Sequence, residues 1–289
     1  FGGLHLICGE EMVIVTSPAL KSAADTLAAS RNAAGILTEV VQTGDPGVGT
    51  TADQIRAYVQ GEVASSTCIR PSYLTLMGNT ANVPTFHGGD AGQPDIPTDF
   101  VYAEKWSGVP LPDLAVGRIP ADSLASANTM VGKIVGYETA PPTGDAFYQN
   151  ATVTSYFQGA GPTDERGFVR SAEALRTGLI ANGKTVQRLM TKDAGANPKK
   201  FDDGTTLPSG LSFTATNTDV VNAFNAGRFL FVSRDHGYQY GVSAPGWGWA
   251  DVPNLTNGNQ LPMTWLIACS TGQFDSPGDA SLAERLLAR

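Results

Sequence analysis

The sequence predicts an α/β protein built on parallel sheet. Three observations carry this. Short apolar runs of strand length recur along the chain, and stretches with apolar residues at helical spacing separate them. The runs are close to continuously apolar, as in strands covered on both faces. Several of them also stop at a polar residue followed by glycine, where a parallel sheet turns from strand to loop.

Met12-Val13-Ile14-Val15-Thr16 reads as a buried strand, with Ser17-Pro18 as N-cap and first-turn residues of an alanine-rich helix from Ala19 to Asn32. Ile36 to Val41 gives a second strand. A helix opening at Thr51 or Asp53 carries Ile55, Tyr58 and Val59 on one face, and Tyr73 to Gly78 is a third strand. From Asn79 to Pro112 the pattern stops, with proline, glycine and aspartate dominating, as in a long functional or mobile loop. Order returns with Asp113 to Arg118 and a helix from about Asp122 carrying Leu124, Ala127, Val131 and Ile134. Ala140-Pro141-Pro142-Thr143-Gly144 marks a boundary, so the expected subdomains are 1–140 and 141–289. The second repeats the rhythm: strand Ala151 to Phe157, a helix through Phe168, Ala172, Leu175 and Leu179, and strand Thr185 to Met190. An irregular loop, Thr191 to Thr218, precedes a helix from Asp219 to Ala226.

With 289 residues, 42% apolar and 16% charged, the chain can bury a full core. A formal charge of −8 and the absence of a basic stretch exclude a sequence-independent nucleic-acid binder. No run approaches the ~20 apolar residues of a membrane span. Three cysteines are too few for a disulfide scaffold. A Cys8–Cys68 pair is compatible with the count and would leave Cys269 as the odd thiol.

The chemistry concentrates late in the chain. Phe229 to Ser233 leads into Asp235-His236-Gly237, and Thr264 to Ala268 leads into Cys269-Ser270-Thr271-Gly272. Parallel sheets present their sites at the carboxyl ends of strands, so His236 and Cys269 are expected on one edge as a thiol–imidazole dyad. A free thiol of pKa ~8.5 is only slightly ionised at neutral pH. A neighbouring imidazole raises the thiolate fraction and protonates a leaving amine, while Gly237 lets a backbone N–H approach the developing oxyanion. Rival motifs fail. Residues 44–51 resemble a phosphate loop, but Thr50 stands where that motif needs lysine, so the segment reads as a turn. Neither a paired-cysteine zinc spacing nor a serine-nucleophile elbow occurs. His87 has no apolar run before it to fix its direction.

His-Gly at one strand end and Ala-Cys at the next resemble the caspase-like cysteine peptidases. The runs from Asn254 to Pro262 and from Ala268 to Phe274, with Pro97 to Tyr102, Val116 to Ile119 and Tyr137-Glu138 upstream, are similar to the gingipain-type peptidases of family C25. The resemblance implies a caspase-like α/β/α sandwich of two side-by-side subdomains with a mainly parallel sheet. It makes Cys269 the nucleophile, His236 the general acid/base, and the N–H groups of Gly237 and Cys269 the oxyanion hole, with Ile267 lining the pocket for the residue before the scissile bond (S1). It also implies an acidic group near the dyad, for which Asp164 and Glu165 are the nearest matches. A helix N-terminus stabilised by carboxylates is the other reading of that pair. Arg234 departs from the pattern of the arginine-cleaving relatives. It would repel a basic side chain in S1, and it suits an acidic substrate group. Self-cleavage after Arg289 would imply arginine specificity instead, and the two readings conflict.

The implied function is that of a secreted or cell-envelope cysteine endopeptidase acting on polypeptides without a required cofactor. A structural calcium ion is compatible with the oxygens of Asp90, Asp95 and Asp99, although no calcium-loop motif is matched. The alternative is an inactive peptidase-like binding or scaffold domain. After Cys269 only one helix, about Ala280 to Ala288, remains. An uncovered sheet edge is therefore expected if nothing follows: either a second chain completes the fold after proteolytic processing, or the sequence is a piece of a longer one.

Overall fold

The computed structural model describes residues 9–65, 69–88, 95–104, 111–161, 166–276, 278 and 280–289. The chain divides into two compact units, Phe1–Val135 with Phe274–Asp279 and Ala288, and Gly136–Gln273 with Ala280–Leu287 and Arg289. Cys8, Cys68, Asp90, Asp164 and Glu165 lie outside the described residues.

In the first unit β1 (Met12–Thr16) is buried at all five positions because it has neighbours on both sides and cover on both faces. α1 (Lys21–Ala33), β2 (Thr38–Gln42), α2 (Ala52–Ser65) and β3 (Tyr73–Met77) follow. A hairpin of β4 (Phe86–Gly88) and β5 (Ile96–Thr98) then precedes β6 (Ala115–Ile119) and α3 (Leu124–Thr139). The four long strands pair in parallel in the order β2-β1-β3-β6. Strand alternation sorts the core. Met12 and Ile14 pack with Leu27 of α1 and Met130 of α3, whereas Val13 and Val15 pack with Ile55 and Val59 of α2.

Three local expectations need revision. Ser17 is the N-cap and Pro18 the first-turn residue as expected, but of a 3-10 turn, Pro18–Leu20, that leads into α1, and the Ser17 side chain makes no capping bond. Its hydroxyl donates to Asn82 Oδ1 at 2.6 Å. His87 lies in β4, opposite Pro97, with Nε2 3.2 Å from Asp275 Oδ2. The stretch around that hairpin is anchored by Arg118, which holds Asp99 bidentately at 2.6 and 2.7 Å and donates to the carbonyls of Gly78 and Val83 at 2.8 Å. These partners are distant in sequence, so no local pattern reveals them. At residues 44–51 the amides of Thr50 and Thr51 donate to Gln54 Oε1 at 3.0 and 3.2 Å. The chain's own Gln54 side chain takes both amides, in keeping with a turn.

The second unit opens with α4 (Asp145–Gln149) and β7 (Asn150–Phe157). α5 (Phe168–Ala181), β8 (Thr185–Lys192), α6 (Asn217–Asn225) and β9 (Leu230–Arg234) come next. β10 (Gly237–Tyr238) and β11 (Gly241–Val242) form a small hairpin, followed by β12 (Met263–Ile267) and α7 (Leu282–Ala288). The parallel order is β12-β9-β7-β8. Phe231 packs toward α6 with Phe224 and Trp247, while Phe157 and Met190 pack toward α5 with Val169 and Ala172. The irregular stretch after β8 has a structural task, since Phe201, Leu207, Leu211 and Phe213 close over that second layer. α6 starts at a capping box in which Thr216 and Asp219 satisfy each other's backbone N–H. Among the described residues β12 pairs with β9 alone, and Met263, Trp265 and Ile267 stand 51%, 57% and 42% exposed on one of its faces.

Candidate active site

The register of β9 and β12 decides where the reactive residues emerge. Their last paired residues are Arg234 and Ile267, and the Asp235 N–H still donates to the Ile267 carbonyl at 3.4 Å. His236 and Cys269 each lie two residues further along, at equivalent positions on strands spaced about 4.8 Å apart. Beyond the ladder the chain continues differently on the two strands. His236 enters the β10–β11 hairpin, and Cys269 enters a turn spanning residues 268–272.

That turn holds Cys269 as an exposed free thiol. Ser270 takes φ +56°, a left-handed backbone unusual for a residue with a side chain. Supporting bonds run from Thr271 Oγ1 to the Ala268 carbonyl at 3.1 Å and from the Ala283 N–H to the Thr271 carbonyl at 2.9 Å. Gly237 packs directly on the turn. A Cβ there would sit 2.6 Å from the Cys269 carbonyl oxygen, 2.7 Å from the Ala268 Cβ and 2.8 Å from Thr271 Cγ2. Glycine is required because the two strand ends press together.

His236 is held from three directions. Its Nε2 lies 2.7 Å from Gln158 Oε1, and Gln158 is the first residue after β7, the other neighbour of β9. The ring meets Phe168 edge to face, with centroids 5.0 Å apart. Its backbone N–H donates to Asp235 Oδ1 at 2.6 Å, and Asp235 Oδ2 accepts the Ala244 N–H at 2.6 Å. Burial pushes the Asp235 carboxyl above its ordinary range, and the two amides, with the nearby His236 and Arg234, offset this only in part. Gln158 is fixed in turn. Asp193 accepts from the Tyr156 hydroxyl and from the Gly159 N–H, the latter at 2.7 Å, and so ties down the chain on both sides of it. Those two bonds hold the Asp193 carboxyl low. Burial, and then Asp193, push the Tyr156 hydroxyl up to about 12.

The structure places Arg234, His236 and Gly237 at the end of β9 and Ile267 and Cys269 at the end of the neighbouring β12, with Gly237 against the Cys269 turn and, among the described residues, no hydrogen bond between the Cys269 thiol and the His236 ring. The Arg234 guanidinium lies 4.4 Å from the Phe168 ring, with Nη1 3.4 Å from the Ile267 carbonyl. Gln158 was not foreseen from sequence. The available signal was its position, since it directly follows the apolar run Val153 to Phe157, whereas attention to acidic residues points to Asp164 and Glu165. No cluster of three or more His, Cys, Asp or Glu suited to a metal ion occurs among the described residues. Of the aspartates considered for calcium, Asp99 is engaged by Arg118.

A parallel α/β sheet with an imidazole and a thiol at adjacent strand ends has the architecture of the caspase-like class of cysteine peptidases. The match extends to solved structures. The crystal structure of the Arg-specific cysteine proteinase gingipain R superposes with a TM-score of 0.78 at 22% identity, over 97% of this chain and 59% of that one. A complex of Porphyromonas gingivalis RgpB pro- and mature domains gives 0.77, also at 22% identity, over 96% of this chain and 60% of that one. The model of peptidase family C25 matches residues 9–289, and the chain belongs to that family. Gingipain R2 of P. gingivalis is 26% identical over 244 residues, 84% of this chain and 30% of that protein. An uncharacterized protein of Archaeoglobus fulgidus is 26% identical over 212 residues, 72% of this chain and 49% of its own. The chain therefore spans about 30% of the length of the gingipain R2 it matches.

Proposed function

We propose that this chain is a cysteine endopeptidase in which Cys269 attacks the peptide carbonyl and His236 moves the proton. The observation that carries the reading is the β9–β12 register, with both residues two positions beyond the last paired couple. In the first half-reaction the imidazole accepts the thiol proton and the sulfur forms a C–S bond at the carbonyl carbon. The carbonyl electron pair moves to oxygen, where the N–H groups of Gly237 and Cys269 receive it. Collapse of this intermediate breaks the C–N bond, and the imidazolium protonates the departing amine. Water, deprotonated by His236, then hydrolyses the thioester and restores the thiol. No cofactor enters the scheme.

Gln158 supplies the orientation. An Nε2–H donated to its amide oxygen fixes one tautomer and leaves Nδ1 with the lone pair that the thiol proton requires. The amide is neutral, so it orients the ring without adding a charge. Asp164 and Glu165 remain candidates for an acidic contribution near the dyad, and Ile267 for an apolar wall of S1. By kinship with the gingipains we assign the chain to secretion or the cell envelope. A second chain is an expected partner, and the RgpB pro- and mature-domain complex is the precedent.

Cys269→Ala tests the mechanism. Hydrolysis of a mixed peptide library should vanish, while the unfolding midpoint stays close to wild type because the side chain is exposed. Unchanged turnover would overturn the reading. An inactive binding domain predicts no hydrolysis by either protein.

A further inference from the structure

We infer that Arg234 binds the substrate and that the enzyme selects an acidic residue, aspartate or glutamate, immediately before the scissile bond (P1). The inference rests on the peptidase reading of Cys269 and His236 and adds a substrate class to it.

Position comes first. Arg234 stands two residues before His236, just as its paired neighbour Ile267 stands two residues before Cys269. Residues two apart on a strand share a face, so Arg234 belongs to the face from which His236 projects. The contacts agree. One ring, Phe168, receives the Arg234 guanidinium at 4.4 Å and the His236 imidazole at 5.0 Å. On the other side Nη1 reaches the Ile267 carbonyl at 3.4 Å. The cation therefore lies between the two strand ends that carry the reactive pair, against the backbone of Ile267, a residue left 42% exposed.

Charge is the second argument. Both partners of the guanidinium, a ring and a carbonyl, are neutral. Among the described residues no carboxylate forms an ion pair with Arg234. Arg188 and Arg170 of the same unit are paired, with Glu173 at 2.6 and 2.7 Å and with Asp202 at 2.6 and 2.8 Å, whereas Arg228 donates to the neutral oxygens of Thr152, Gly227 and Gln187. The nearest acid in sequence, Asp235, is buried and spends its oxygens on the His236 and Ala244 amides, so its charge acts on Arg234 without an ion pair between them. A guanidinium presents a planar fork of N–H donors matched to a carboxylate, and stacking on Phe168 holds that fork in place before any ligand arrives. A lysine or arginine P1 side chain would meet a fixed like charge at short range. The arginine specificity of the gingipain R proteinase is thus not expected here.

The test compares peptides identical except at P1, which carries Asp, Asn, Glu, Gln, Ala or Arg. Asp and Asn are nearly isosteric, so their kcat/KM ratio isolates the charge. Wild type should favour Asp over Asn by about 10- to 100-fold, the range of a hydrogen-bonded charge, and should cleave P1-Arg worst. In Arg234→Gln the Asp/Asn ratio should fall to about one. The same peptides, fluorescently labelled, are titrated onto Cys269→Ala and onto the Cys269→Ala/Arg234→Gln double variant, which needs no turnover. Tighter binding of P1-Asp than P1-Asn, lost in the double variant, supports the inference. An Asp/Asn ratio near one in wild type, a ratio unchanged by Arg234→Gln, or a preference for P1-Arg overturns it. A carboxylate of Asp164 or Glu165 neutralising the guanidinium would appear as the first of these. Cys269-dependent cleavage without acidic preference rejects the Arg234 role and leaves the peptidase standing. Arg234-dependent binding of acidic peptides without cleavage does the reverse, and neither cleavage nor binding rejects both.

Discussion

Replacing Gly237 with alanine tests whether the packing of the two strand ends holds the reactive geometry. The added methyl would lie 2.6 Å from the Cys269 carbonyl oxygen. Ordinary contact begins near 3.4 Å, so relief requires a retreat of about 0.8 Å (3.4 − 2.6). The obstacle is backbone on a turn bonded to its surroundings through Thr271 and Ala283, which no rotamer change can remove. Two consequences follow. Overpacking of this kind costs about 1–3 kcal/mol of stability. A displacement approaching 1 Å between attacking atom and substrate costs about 100-fold in rate, and Cys269 rides on the displaced segment. Gly272→Ala is the matched control, because a Cβ there meets nothing within 4 Å. The assay is kcat/KM on a cleaved peptide, with urea unfolding and the iodoacetamide alkylation rate of Cys269 measured on both variants. Gly237→Ala should lose about two orders of magnitude while still folded, and Gly272→Ala should lose little. Wild-type kcat/KM in a fully folded Gly237→Ala protein would refute the reasoning.

Two further outcomes follow from the residues around His236. Gln158→Leu removes the acceptor 2.7 Å from Nε2 and should lower kcat about tenfold or more with KM little changed, a part of the ~10²–10⁴-fold that a positioned acid/base provides. Equal losses in kcat and in folding stability would instead mark Gln158 as merely structural. Asp193 is held below its ordinary range by the Tyr156 hydroxyl and the Gly159 amide, so it stabilises the fold above the unfolded-state value of about 3.9. That contribution is lost as pH falls through the lowered folded value. The stability gap between wild type and Asp193→Asn, measured by urea unfolding, should therefore be present at pH 7 and close in the acid range below about 3.9. A gap that stays constant to pH 2 would contradict the assignment.

The two long strands that bear His236 and Cys269 were legible because each is a short apolar run ending at reactive and small residues, and a parallel sheet leaves few places for such ends to go. The periodicity of α2, α3 and α5 was equally plain, since each buries one face on a sheet. What sequence could not supply was contact across the chain. Asp193 lies 35 residues beyond Gln158 (193 − 158) and acts on its neighbours Tyr156 and Gly159, which no local pattern encodes. Arg118 hides the order around residues 83–84 and Asp99 in the same way, since the two carbonyls it satisfies there precede it by more than thirty positions. Ser17-Pro18 was a sound helix-start signal, but Asn82 competed for the serine hydroxyl. For Gly237 the sequence suggested close approach by substrate, and the structure adds close approach by the Cys269 turn.

The place of β12 in its sheet makes the two reactive residues mechanically unequal. His236 is mounted on β9, which has a hydrogen-bonded ladder on either flank. Cys269 is mounted on β12, which among the described residues has one. Peripheral strands open at lower free energy than central ones, so wherever no further strand or partner chain adds to β12 the thiol side should loosen first when the protein is warmed or placed in mild denaturant. Loss of alignment between sulfur and imidazole would then precede loss of the fold, and catalytic competence would track the attachment of one strand to its single neighbour.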